Sequence, residues 1–336
     1  MSDFFGLKGL RFRRGRAARP EKKQTRVVGR GIRVRRKPPV RKGSFDHVPV
    51  SVNTFNPALP LYDEEYIPEH MKGNSFIRSY YRCHYTTWQC LRSIFAVHNE
   101  TGNIWTHLIG FIIVFLLSCH VLLQLGLYRT RDYCLFLLYE LASLVMLGGS
   151  SMYHTFAAHK SESVYSIALA LDYFGITFMI IGSFYASVFY LFSCMPVVRF
   201  VYLTTVTLLG FLGLLGPFFP FFNTIEFYWP RLILHASLTG LGILPAVHAF
   251  YGLPSNPITQ PVYGGLFLTL LMYAIGMFIF IFKVPERWFP GHFDLWFHSH
   301  QVWHLFVLAA AVINFFTCTG AFQVWYITGA ANGECA

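Results

Sequence analysis

Residues 299–322 read SHQVWHLFVLAAAVINFFTCTGAF. After His304 only Asn314 and a few hydroxyl or thiol side chains interrupt an apolar run. At 1.5 Å per helical residue, such a run is long enough to cross a hydrocarbon core of about 30 Å. It opens on His300 and His304, four residues apart, so both imidazoles project from one helix face.

Working back from this segment, six more of the same kind lie over roughly 103–127, 134–157, 164–192, 200–215, 232–251 and 262–282. The fourth, 200–215, is the shortest. Breaker-rich stretches such as GLPSNPITQP (252–261) and KVPERWFPGHFD (283–294) separate them. Pro230 stands where the fifth helix is expected to begin, a position that suits proline. The expected fold class is all-α, a seven-transmembrane helix bundle. Composition agrees: of 336 residues, 54% are hydrophobic and 13% charged, against about 25% charged in a soluble domain.

Charge divides the chain. Of 27 Lys and Arg, 20 lie before residue 103, 16 of them within residues 1–50 in runs such as RFRRGR (11–16) and IRVRRK (32–37). Residues 1–50 hold too few apolar side chains to fold alone and are expected to be a disordered basic arm. The arm is suited to anionic lipid, and the apolar body behind it argues against a nucleic-acid partner. No apolar h-region follows the basic start, so no cleavable signal peptide is expected. Residues 51–102 form a pre-membrane segment, 103–322 the transmembrane domain and 323–336 a tail. With the N-terminus in the cytosol, 24 basic residues lie inside and three, Arg129, Arg131 and Arg199, outside. The bias of Lys and Arg towards the cytosol therefore predicts an external or luminal C-terminus. The seven cysteines are scattered and form no CxxC pair, which argues against a disulfide framework or a cysteine zinc site.

Ionisable residues inside spans are costly unless paired, and mark candidate sites. His154 lies at the end of span two, Asp172 near the start of span three, and His300 and His304 at the start of span seven. All these ends face the side of the N-terminus. Ser150 is one turn before His154 on the same helix face. Three imidazoles with a water as fourth ligand define an open zinc site, and Asp172 could orient the water or a ligand. The alternative is a set of interfacial, hydrogen-bonded histidines without metal, as His159, His292 and His298 nearby would be. His107 reads as a support or packing residue, and Glu140, His235 and His248 as packing or interfacial groups. The NET triplet at Asn99 matches a glycosylation acceptor, but on the cytosolic side it is expected to stay unmodified.

SIFAVHNETGNIWTHLIGF (93–111), SSMYHTFAAHKSE (150–162), LDYFGI (171–176), KVPERWFPGHFD (283–294) and SHQVWH (299–304) together resemble the progestin and adipoQ receptor family, which includes the adiponectin receptors. Ser150, His154, Asp172, His300 and His304 fill every position of that family's pattern. The resemblance implies zinc on the three histidines, Asp172 and Ser150 holding the metal's water, and a cytosolic N-terminus. Within the family, residues 74–101 are most similar to the branch that traps Raf kinases at the Golgi, whereas the basic arm is similar to neither that branch nor the adiponectin receptors. The resemblance implies a multi-pass receptor or regulator of signalling in the plasma membrane or Golgi, in lipid and energy metabolism or kinase signalling. It would meet membrane lipids, a lipid substrate or protein ligand, and a cytosolic kinase or adaptor at the N-terminal region. It also implies an alternative, a ceramidase-like zinc hydrolase in which Asp172 and Ser150 serve catalysis. A third is a Golgi tether of Raf-type kinases.

Overall fold

The computed structural model describes residues 59–125, 130–224, 226–253 and 260–327. The basic arm at 1–50 and most of the 323–336 tail lie outside the described residues.

Seven stretches of helix are long and apolar enough to cross a membrane among the described residues. In chain order they follow a short helix α1 (Thr87–Ser93). They are α2 (Thr101–Leu125), α3 (Thr130–Phe156), α4 (Glu162–Leu191), α5 (Pro196–Leu215), the pair α6 (Tyr228–Gly240) and α7 (Ile243–Gly252), α8 (Gln260–Phe282) and α9 (Ser299–Ile327). Pro196 opens α5, where its missing N–H is harmless. All seven expected segments are present, most of them longer than expected because polar residues continue each helix past its apolar run.

The fifth span is not the single helix expected. Pro245 has no N–H to give to the Leu241 carbonyl, and Leu244 donates to it instead at 3.2 Å. Gly242 likewise bonds Thr239 at 3.0 Å, so the helix tightens and breaks over 241–242. Arg231 lies in α6, buried and donating to the carbonyls of Phe222 and Thr224.

Lipid tails are as apolar as leucine, so helices in a membrane gather by close packing rather than by hydrophobic exclusion. Small residues make that packing here. At Gly175 a Cβ would come 2.8 Å from the Met146 Cα, and at Gly182 it would come 2.8 Å from the Ala142 Cβ. α3 and α4 therefore touch nearly backbone to backbone. α9 closes against the pair through Phe315, Phe322 and Trp325, and the Tyr139 hydroxyl donates to the Ala311 carbonyl at 2.7 Å. A second apolar cluster joins the outer face of α4 to α5, α6, α7 and α8.

Residues 59–100 are folded onto the end of the bundle. Tyr85 and residues 158–160 pair as an isolated bridge, with Tyr85 N–H to Ala158 at 2.9 Å and Lys160 N–H to Tyr85 at 2.8 Å. Asn74 donates to Glu286 at 3.0 Å and the Arg78 N–H to Asp294 at 3.0 Å. Gly291, at φ +83°, donates its N–H to Phe76 at 3.1 Å. The pre-membrane segment thus laces together the loops after spans two and six.

Cys194, on the opposite face, is disulfide-bonded. Cys83, Cys90, Cys119, Cys134 and Cys318 are free, so the bond at Cys194 is not part of a framework among the described residues.

Candidate metal centre

Each histidine of the expected set sits where a helix end is held by something outside the helix. His154 is two residues from the end of α3, whose last carbonyls have no partner within the helix. The buried Arg82 guanidinium supplies one. It donates to the His154 carbonyl at 2.6 Å, to the Thr155 carbonyl at 3.3 Å and to the Ser93 hydroxyl at 2.5 Å. Burial works against the charged form of Arg82, and the Glu100 carboxylate is the largest influence opposing it.

The start of α9 is fixed equally firmly. The buried Glu286 carboxylate accepts the Ser299 N–H at 2.8 Å and also the Ser299 hydroxyl. A negative group at a helix N-terminus is favourable. Gln301 bonds the Leu295 carbonyl at 2.8 Å, the Asn99 carbonyl at 3.2 Å and the Phe297 N–H at 2.7 Å. His298 meets the Asn99 carbonyl at 3.1 Å. These bonds set the direction in which His300 and His304 leave the helix.

The three rings converge. One nitrogen from each of His154, His300 and His304 lies within 4.8 Å of the others. Ring centroids are 5.1 Å apart for His154 and His300, 4.8 Å for His154 and His304, and 4.7 Å for His300 and His304. His154 turns Nδ1 outward to Glu100 Oε2 at 2.7 Å, and His304 turns Nδ1 outward to the Asn103 carbonyl at 3.2 Å. Both Nδ1 atoms are then donors, which leaves each Nε2 with a lone pair for another partner. His154 Nε2 stands 3.3 Å from His300 Nε2. Two nitrogens on one tetrahedral zinc, each about 2.0–2.1 Å from it, stand about 3.3–3.4 Å apart. The donor set and its outward hydrogen bonds fit zinc.

Glu100 was missed by sequence reasoning, which saw only a glycosylation triplet there. Burial alone would raise its carboxyl, but the neighbouring His154 imidazole and the hydrogen bonds from His154 and Asn103 hold it below the usual carboxylate range. Asn103 Nδ2 donates to the same oxygen at 2.6 Å. A usable signal did exist: an acid directly before a membrane-spanning helix, on the side of the histidines. Asn99 is buried with its carbonyl engaged, a second reason for it to stay unglycosylated.

Among the described residues, Asp172 does not join the three histidines as a further ligand. Close packing of Gly149 on the backbone of Leu171 and Asp172 places Asp172 and Ser150 across α3 and α4 at one level, a turn deeper than His154. Ser150 and His154 are the groups that act on the Asp172 carboxyl. His107 stacks on His304 with centroids 3.8 Å apart and planes at 12°, bracing that ring. His235 bonds the Arg231 carbonyl and the Thr177 hydroxyl, and His248 the Tyr202 hydroxyl, so both are packing groups as expected. Glu140 is buried in α3. A cavity of about 70 Å³ between α4, α7, α8 and α9, lined by Ser187, Thr269 and Asn314 among others, does not reach the histidines.

The haemolysin-III-related family pattern matches residues 95–315. The chain belongs to that family. Among its relatives are the heptahelical transmembrane protein 1 of Arabidopsis thaliana, 36% identical over 74% of this chain and 77% of its own length. The progestin and adipoQ receptor family member 3 of Mus musculus is 33% identical over 82% of this chain and 88% of its own. The adiponectin receptor protein of Drosophila melanogaster is 32% identical over 74% of this chain. The chain spans only 56% of the fly protein's length. The resemblance read from the motifs is thus shown, and this haemolysin-III-related chain is an integral multi-pass membrane protein.

Proposed function

We propose that the chain is a zinc-containing seven-span regulator of membrane signalling, with a cytosolic N-terminus and an external or luminal C-terminus. The observation that carries this reading is the convergence of His154, His300 and His304, with Glu100 and the Asn103 carbonyl behind two of them. These groups belong to spans one, two and seven and to the segment before span one. A metal there would tie three elements and the pre-membrane cap into one unit, so that a change at the cap or in the membrane is felt by the other. Membrane lipids are the surrounding partners, a lipid or protein ligand the input, and a cytosolic kinase or adaptor at residues 1–102 the output. The plasma membrane and the Golgi both suit this arrangement. The orientation is supported by 24 basic residues against three and by the disulfide at Cys194 on the face opposite the histidines, since disulfides persist where the compartment is oxidising.

A second reading, a lipid amide hydrolase, is favoured by Asp172 and Ser150 at one level just beyond His154. Zinc bound by the histidines would supply a water acidified to a pKa near 7 and polarise the substrate carbonyl. Ser150 would orient the Asp172 carboxylate, and Asp172 would take the water's proton as its oxygen bonds the carbonyl carbon. The same proton would go to the nitrogen as the carbon–nitrogen bond breaks, giving a fatty acid and an amine. A third, a Golgi tether of Raf-type kinases, would place the work in residues 1–102 and leave zinc structural.

Metal analysis of the purified full chain, with a ceramide-cleavage assay before and after chelation, tests the readings together. One zinc per chain and no cleavage supports the regulator. Chelator-sensitive cleavage makes it the hydrolase. Absence of zinc from protein purified without chelator removes both. Tags at the two termini, probed with protease on sealed vesicles whose cytosolic face is outward, test the orientation: a digested C-terminal tag would overturn it.

A further inference from the structure

Arg131 and Arg199 are two of the three basic residues that the charge count leaves on the face away from the histidines. Positive charge on that face runs against the bias that orients membrane proteins, and here two guanidiniums are gathered at one point. Arg131 Cζ lies 4.8 Å and Arg199 Cζ 4.6 Å from the centroid of the Phe189 ring. Arg131 also lies 5.0 Å from the Trp325 ring. The two charges are close enough to repel each other.

Their compensation is poor. Among the described residues, the acid that touches them is Asp132, whose Oδ1 is 3.4 Å from Arg131 Nε and 3.5 Å from Nη2. Charge-assisted bonds of this type are normally about 2.7–2.9 Å. That oxygen is shared with the Tyr190 hydroxyl at 3.4 Å, and Asp132 is itself buried. Arg199 reaches the Ser193 carbonyl at 3.4 Å. Two cations and one acid leave a positive surplus, and a guanidinium lying over a ring keeps its N–H edge for a further partner.

Beside Arg199 runs a groove of about 370 Å³ along α4 and α5, lined by Tyr185, Phe189, Pro196, Phe200, Leu203 and Thr204. It starts at the helix ends, where the guanidiniums are, and continues into the apolar part of the spans. A positive pocket continuous with an apolar groove has the chemistry of a phosphate ester attached to an acyl chain.

We propose that Arg131, Arg199 and this groove form a phospholipid site: the phosphate lies between the two guanidiniums, and an acyl chain lies against Phe200 and Leu203. Arginine's planar fork suits phosphate oxygens, which accept two N–H bonds side by side. The occupant comes from the leaflet on the face opposite the histidines, so the site is separate from the candidate metal centre, about 35 Å away along α3.

Native mass spectrometry of the full chain in detergent tests this, with phosphatidylglycerol, a diacylglycerol of the same chains and inorganic phosphate as probes. One phosphatidylglycerol is expected to stay bound at concentrations where the diacylglycerol is lost. The R131Q/R199Q double variant is expected to hold it about tenfold or more weakly, since it loses the charged hydrogen bonds to the phosphate. Unchanged zinc content or melting temperature confirms that the double variant is folded. Leu203→Trp, which fills the groove and leaves both charges, is expected to weaken long-chain phosphatidylglycerol but not the dihexanoyl form. Three outcomes overturn the proposal: equal retention of phosphatidylglycerol and diacylglycerol by wild type, full displacement by millimolar inorganic phosphate, or unchanged retention in the double variant.

Discussion

Spans one, two, three and seven differ in kind from spans four, five and six. In the first group between 33% and 50% of the most apolar window is buried inside the protein, in the second between 11% and 22%. The first group also holds most of the buried polar side chains of the spans, His107, Glu140, Ser150, His154, His304 and Asn314 among them, whereas the second holds Arg231, His235 and Thr269. The second presents Phe200, Leu208, Phe211, Leu212, Phe267 and Phe278 outward. Helices that must hold imidazoles in register are packed by protein, and helices that complete the wall are packed by lipid. Apolar content does not separate the groups, because every span is apolar. Where small residues let backbones approach, and where polar groups face each other, does separate them.

The largest effect should come from breaking the packed group at its centre. His300→Ala with His304→Ala removes two of three imidazoles from one helix, and metal analysis of the purified double variant is expected to find essentially no zinc. Full retention would mean that the metal is held elsewhere and that the contrast between the groups is one of packing alone.

Next is Arg82, which caps α3 from outside the membrane. Arg82→Met leaves the His154 and Thr155 carbonyls and the Ser93 hydroxyl without their donor. The expected loss is about 3 kcal/mol, at about 1.5–3 kcal/mol for a charged hydrogen bond, read as a lower melting temperature. An unchanged melting temperature would show that the pre-membrane segment merely rests on the bundle.

Glu100→Gln keeps the shape but removes the charge behind His154. Replacing such a supporting group typically lowers metal affinity about 10–100-fold, which competition with a calibrated chelator would measure. Affinity equal to wild type would reduce Glu100 to a helix-end contact. Asp172→Ala should act differently again. Zinc content should stay at the wild-type level, because three histidines remain. Any amide hydrolysis should fall by about 10²–10⁴-fold. Zinc retained together with full hydrolysis would exclude Asp172 as the base.

Much of this was legible in the sequence because a membrane forces it. Seven apolar runs had to be helices, and histidines at two helix ends of one side had to share a level. Their actual meeting depended on features no periodicity shows. Arg82 looked like one more basic residue of the cytosolic side, and only tertiary structure brings it under the end of α3. Glu100 looked like the middle of a glycosylation triplet. Pro245 was visible, but the break it causes at 241–242 required the neighbouring glycines to be read as part of the same helix. The close seam of Gly149 against Leu171 and Asp172, which sets Asp172 opposite Ser150, is likewise invisible to periodicity.

The smallest effect belongs to the lipid-facing group and tests the contrast from its other side. Leu212 in α5 is 64% exposed among the described residues. Truncating a core leucine creates a cavity and typically destabilises by about 2–5 kcal/mol. At Leu212 no cavity can form, because detergent or lipid follows the shortened side chain. Leu212→Ala is therefore expected to change stability by no more than about 0.5 kcal/mol, with melting temperature, zinc content and phospholipid retention all at wild-type values. The same substitution at Leu147, which is fully buried in the α3 core, is the control that shows the assay can register a loss. If Leu212→Ala lost as much as Leu147→Ala, the outer face of α5 would have to be covered by protein in the assembled state. Spans four to six would then be an interface rather than a wall against lipid.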